Sequence, residues 1–246
     1  MKKLFALLCI GASLFVGCSD DDDDGKNGGS REVISINMVL DVPSACNGAI
    51  VDLAENSWVD GFIDFPYSEN IVSCNPTVLK TGIQEMNLMV KRHTDTNASY
   101  CFIDITYGEN YTSEVFLNYS YKSELEVEKD GYGEAHNYID VTTSFNDRDP
   151  IYITDLVVEA PTSNKINIYR TSVYDKLQKV DLSKCPCLKT LKCTRHPVLQ
   201  SLDLSNNLEL TDVDCSSNES LTEIWLKQGQ DIVNLTKDSH TVIKYK

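Results

Sequence analysis

The chain of 246 residues holds nine cysteines and four histidines, and their spacing decides what chemistry they could do. Cys185-Pro-Cys187 lacks the spacing of a Cys-x-x-Cys redox pair or a zinc knuckle, so no metal is expected there. Cys193 and Cys215 stand where neighbouring segments carry Leu182, Leu204 and Leu226, which predicts small buried hydrophobes. Cys46, Cys74 and Cys101 allow one internal disulfide at most, and spacing does not choose the pair. His93, His136, His196 and His240 fall in unrelated contexts with no metal-ligand spacing and are expected to face solvent. With 37 acidic residues, carboxylate pairs suited to glycoside hydrolysis are uninformative. The chain has no Gly-x-Ser-x-Gly elbow, phosphate loop, Gly-x-Gly-x-x-Gly or His-Glu-x-x-His. The expectation is a protein that is not an enzyme and carries neither cofactor nor metal.

Charge narrows the partners. Lys and Arg number 22 against 37 acidic residues, a net charge of −15. Loss of a leader bearing Lys2 and Lys3 would leave 20 against 37, or −17. Such a surface repels phosphate backbones, which excludes nucleic acid as an expected partner and leaves cations, basic proteins and neutral glycans.

The first thirty residues read as targeting rather than fold. Lys2 and Lys3 precede an apolar run from Leu4 to Val16, which is too short for a comfortable membrane span. Leu14-Phe15-Val16-Gly17-Cys18 resembles the lipobox of bacterial lipoproteins, with Phe15 in place of the usual aliphatic residue. The resemblance implies that Cys18 becomes the lipid-bearing first residue. Asp20 to Asp24 and the Gly/Ser-rich stretch to Ser30 form a solvated tether, because adjacent carboxylates repel and cannot pack. Cys-Ser-Asp-Asp-Asp also resembles the export signal of surface lipoproteins in certain gut Gram-negative bacteria. That implies an outer-membrane address facing the cell exterior, although the sequence does not decide between exterior and periplasmic faces.

The elements that could present a binding surface lie at the other end. Leu177-Val180-Leu182, Leu188-Leu191-Cys193, Leu199-Leu202-Leu204, Leu210-Val213-Cys215 and Leu221-Ile224-Leu226 repeat every eleven residues. The last two members of each set are two apart, which is strand spacing and turns both to one face. Two copies make 22 residues, within the about 20 to 29 of a leucine-rich repeat. Taking eleven residues as the true repeat, successive strands should alternate between two walls of a flattened coil. The residue between each inward pair then faces out, placing Asp181, Asp203 and Trp225 on one wall and Lys192 and Asp214 on the other. These five are the candidate binding surface. Trp225 is either an interaction anchor or covered by residues 229 to 246, and coverage by that segment is expected because an end coil needs a cap. Leu156-x-Val158 and Ile166-x-Ile168 read as irregular first coils. Asp181-Leu-Ser183, Asp203-Leu-Ser205 and Asp214-Cys-Ser216 resemble the repeats of bacterial surface leucine-rich-repeat lipoproteins over roughly the last 90 residues.

Between tether and repeat, alternation marks strands at Ile34 to Val42, Met86 to Val90, Val115 to Tyr121 and Ile139 to Val141. Trp58 to Phe65 and Tyr100 to Tyr107 are also strand-like, and Asn47-Gly48 and Asp130-Gly131 supply turns. Seven or eight strands in this length suggest an immunoglobulin-like β-sandwich. The expected fold is all-β, an N-terminal β-sandwich followed by a short leucine-rich-repeat β-solenoid with few or no helices. Its expected divisions are a signal with the lipidation cysteine at 1–18, a tether at 19–30, the sandwich at 31–148 and the repeat domain with its C-terminal cap at 149–246. The resemblance implies a monomeric surface lipoprotein acting as a recognition or adhesion module, for protein ligands through the repeats. The alternative is carbohydrate binding through the sandwich as part of a glycan-uptake system.

Overall fold

In the computed structural model the described residues are 33–54, 71–91, 99–107, 111–121, 137–142, 151–169 and 175–246. Cys18, the 19–30 tether, Trp58 and the Asp149-Pro150 junction lie outside them. The described chain is all-β apart from a single 3-10 turn at Ser44–Cys46, and its C-terminal part is a β-solenoid of about four turns. Among the described residues no helix is long and apolar enough to cross a membrane.

Alternation sets the first strand. In β1 (Val33–Val42) the residues Ile34, Ile36, Met38, Leu40 and Val42 are all buried, and the intervening ones are partly exposed. β1 pairs antiparallel with β4 (Gly82–Lys91), which pairs in turn with β3 (Ile71–Asn75). A second antiparallel run joins β2 (Ile50–Ala54), β5 (Ser99–Tyr107), β6 (Tyr111–Tyr121) and β7 (Asn137–Thr142). The turn after β1 uses the Asn47-Gly48 pair: Gly48 sits at φ 84°, and its N–H donates to Leu79 O at 2.8 Å.

From residue 152 the strands alternate between two sheets. β8 (Tyr152–Glu159), β10 (Lys179–Lys184), β12 (Ser201–Asp203), β14 (Glu223–Leu226) and β16 (Val242–Tyr245) form one wall. β9 (Lys165–Tyr169), β11 (Thr190–Thr194), β13 (Asp212–Cys215) and β15 (Asn234–Lys237) form the other. Neighbours within each wall run parallel and are one coil apart, with Asp181 beside Asp203 and Leu191 beside Val213. Both walls continue into the earlier strands. β8 pairs with β1 on its far side, and β9 pairs with β7, so two eight-stranded sheets run the length of the described structure. The first coil thereby has no open strand edge, and the inward side chains form one core from Ile34 to Ile232.

The coil is longer than the eleven-residue repeat indicates. β8 and β9 precede it with Leu156, Val158, Ile166 and Ile168 buried, and residues 229 to 246 add β15 and β16. Leu235 keeps the eleven-residue step from Ile224, but Lys237 stands where earlier coils carry Leu or Cys. The stack therefore closes on a more polar strand.

Eleven residues also prove to be half of the structural unit. Cys185, His196, Asn207 and Asn218 occupy one position of the repeat, at the turns, and all are buried. At one turn Cys185 N–H and Asn207 N–H close ordinary turns onto Leu182 O and Leu204 O. At the opposite turn Arg195 and Ser217 adopt left-handed φ values of 68° and 61°. The N–H groups of His196 and Asn218 instead donate to the next coil, to Asn218 Oδ1 at 2.8 Å and Asp238 Oδ2 at 2.8 Å. The two turns differ, so the expectation of an eleven-residue unit gives way to one of 22. Non-glycine residues in the left-handed region cost about 1 kcal/mol or more. Ser217→Gly should accordingly raise stability by up to about 1 kcal/mol, read as a rise of a few degrees in Tm. A fall in Tm would count against that account of the turn.

Candidate binding surface

Strand pairing collects the outward residues into rows. Asp181, Asp203, Trp225 and Lys244 are successive partners across β10, β12, β14 and β16. Asn167, Lys192, Asp214 and Thr236 follow one another across β9, β11, β13 and β15. The structure brings Asp181, Asp203 and Trp225 together on one wall and puts Lys192 and Asp214 on the other. A ligand lying flat on either wall would meet one set and not both.

The three aspartates have work inside the protein. Asp181 Oδ1 accepts the N–H of Ser183 at 2.9 Å, and Asp203 Oδ1 accepts the N–H and hydroxyl of Ser205 at 3.1 and 2.7 Å. Asp214 does the same for Ser216, at 3.0 and 2.7 Å. The Asp-x-Ser pattern is thus a turn device, a short side chain satisfying the backbone where a strand ends. Asp203 also pairs with Lys246, 43 residues later. Lys192 is exposed.

Trp225 is half-buried, and its Nε1–H donates to Glu223 Oε2 at 3.1 Å on the same strand. Glu223 lies 3.7 Å from Lys244 of β16, so the indole is flanked by a Glu223–Lys244 pair and, one strand away, by Asp203–Lys246. Residues 229 to 246 contribute to this frame from the side, as a further strand of the wall. Glu223, Lys244 and Lys246 were missed in the sequence. The two lysines join the row through β16, which departs from the repeat spacing and is not visible as a copy of it.

Several carboxyls are held below their usual range. Burial pulls Asp181 upward, but the Ser183 hydroxyl and N–H, together with Lys179, outweigh it. Burial likewise pulls Asp203 upward against the stronger hold of Lys246 and Ser205. At Asp212, hydrogen bonds from Thr211 and Asn234 lower the carboxyl. Because the folded values lie below the unfolded value of about 3.9, the folded protein binds fewer protons there. This stabilisation is fully present above about pH 4 and is lost as pH falls through the folded values. The urea midpoint should therefore drop as pH falls below about 4, and less steeply in Asp203→Asn.

Beneath the rows, the turn position carries a buried polar ladder. Asn207 Nδ2 donates to Leu182 O and Cys185 O at 2.8 and 2.9 Å, and Asn218 Nδ2 to Cys193 O and Cys215 O at 2.7 and 2.8 Å. Cys185 Sγ reaches Val158 O at 3.3 Å. Each side chain ties its own coil to the one before. The expectation that the histidines face solvent fails at His196, which is fully buried. The eleven-residue step already placed it with Asn207 and Asn218, which was the signal available. His240 is exposed, and His93 and His136 lie outside the described residues.

Cys193 and Cys215 are free and buried among the core leucines. Burial pushes the Cys193 thiol well up and that of Cys215 to about 12. Cys74 is a free thiol, whereas Cys187 is disulfide-bonded. Among the described residues no three His, Cys, Asp or Glu side chains are grouped to hold a metal ion. No family model, curated protein or solved structure matches the chain.

Proposed function

We propose that this chain is a surface-exposed outer-membrane lipoprotein, anchored through Cys18, whose two-walled coil recognises a protein ligand without catalysing a reaction. In this reading it belongs with the bacterial surface leucine-rich-repeat lipoproteins. Residues 31–148 form an immunoglobulin-like sandwich, and the acidic tether of 19–30 holds the molecule away from the membrane.

The observation that supports the binding role is the setting of Trp225. An indole on the outward row of a polar wall, fixed by Glu223 and flanked by ion pairs, has the character of an interface anchor. Asp181, Asp203 and Asp214 already serve their turns, which leaves Trp225 and, on the opposite wall, Lys192 as the side chains with most to offer a partner.

The full chain and its Trp225→Ala variant would be compared on arrays of cell-surface and matrix proteins and on glycan arrays. The expected result is protein binding weakened by about 30-fold or more in the variant, the scale of a hot-spot tryptophan. Glycan binding that survives Trp225→Ala would replace this reading with carbohydrate capture through residues 31–148. Cys18→Ala should release the protein from membranes, and continued membrane association would sink the anchoring claim.

A further inference from the structure

β16 ends its wall, and among the described residues no strand pairs with its outer side. Residues along a strand turn their backbone groups to alternate sides. Val242 N–H donates to Thr222 O at 2.8 Å and Lys246 N–H to Leu226 O at 3.0 Å, so these positions face β14. By the same alternation Ile243 and Tyr245 turn their N–H and C=O groups away from β14. Their side chains stand in the inward column beside Ile224 and Leu226, which are buried one coil earlier. Ile243 is partly buried and Tyr245 is 52% exposed. This end of the wall therefore presents a backbone edge together with a continuation of the apolar column. On the other wall Lys237 takes the inward position beside Cys215, and its Nζ donates to Thr241 O at 2.7 Å, so that column ends on a polar group.

On the reading of the coil as a protein-binding module, we propose that its ligand docks as an extended acidic segment that adds a strand to the outer edge of β16. Main-chain bonds to Ile243 and Tyr245 would hold such a segment, and its alternate apolar side chains would cover theirs. Charge selects the segment. Residues 227–246 hold four lysines against two aspartates, in a chain whose net charge is −15. Lys244 and Lys246 lie on the edge itself, with side chains 46% and 51% exposed, and their partners Glu223 and Asp203 lie further in, on β14 and β12. A strand added about 4.8 Å outside β16 sets one side chain next to Lys244, on the side away from Glu223. A carboxylate there is attracted and a lysine repelled. A second copy pairing through its own β16, antiparallel about Lys244, would set Lys244 against Lys244, so the edge that suits an acidic segment rejects itself.

The test is residue-resolved amide hydrogen exchange of the full chain with a short peptide of alternating glutamate and valine, or with its lysine–valine counterpart. The glutamate peptide at about 1 mM should slow exchange at Ile243 and Tyr245 by about tenfold or more, and the lysine peptide should not. Methylating the backbone nitrogens of the glutamate peptide should abolish the effect, since it removes donors and leaves every charge in place. Lys244→Glu should weaken the glutamate peptide by about tenfold and admit the lysine peptide. No protection, equal protection by both peptides, or protection indifferent to methylation would overturn the proposal. So would protection that grows with protein concentration in the absence of peptide, which would mean that a second copy takes the edge. If Trp225→Ala abolishes binding to array proteins while the glutamate peptide leaves the edge unprotected, the ligand lies on the face of the wall and the edge proposal alone fails. Edge protection with no protein bound on the arrays would instead count against the wider reading of the coil.

Discussion

Asn218→Ala should cost about 3 to 5 kcal/mol, because three buried backbone groups lose their partner at about 1 to 3 kcal/mol each. Those groups are the carbonyls of Cys193 and Cys215 and the N–H of His196. None can turn to water, since Asn218 is fully buried between coils. Asn207→Ala should cost less, about 1 to 3 kcal/mol. It frees only the carbonyls of Leu182 and Cys185 and removes an Oδ1 that is buried without a partner. Denaturant melts followed by circular dichroism would separate the two variants. Equal losses would mean that the left-handed turn at Arg195 and Ser217 gives Asn218 no extra role.

Leu202→Ala should cost a further loss on the same scale, about 2 to 5 kcal/mol, by a different route. Leu202 is 1% exposed at the centre of β12, with Val180 one coil before it and Ile224 one coil after. Strands of neighbouring coils lie about 4.8 Å apart in the backbone, so a missing side chain leaves a void the stack cannot close without breaking its ladder. Lys192→Ala, an exposed change on the opposite wall, should stay within about 0.5 kcal/mol. A loss below about 1 kcal/mol in Leu202→Ala would mean that the stack relaxes around the cavity.

Much of the solenoid was legible from spacing alone. Two inward residues per eleven fix strand direction, inward face and alternation between walls, because side chains alternate across a strand. The rows of Asp181, Asp203 and Trp225 and of Lys192 and Asp214 follow from the same count. Less legible were the turns. Cys185, His196, Asn207 and Asn218 are of three chemical types, so they do not register as one repeated position until their shared work, bonding to the previous coil, is seen in space.

What the sequence by itself determined is the local order: strands from period two, half-coils from period eleven, and a net charge of −15. What only the tertiary structure decided is how non-local groups meet. β8 lies between β1 and β10, although more than a hundred residues separate β1 from β8, and Lys246 reaches Asp203 across two strands. A buried histidine faces a carboxylate and a carbonyl from two other segments. Periodicity reports which face a side chain takes, since that depends on backbone geometry within a few residues. It does not report which distant group that side chain will face, since that depends on how sheets are joined.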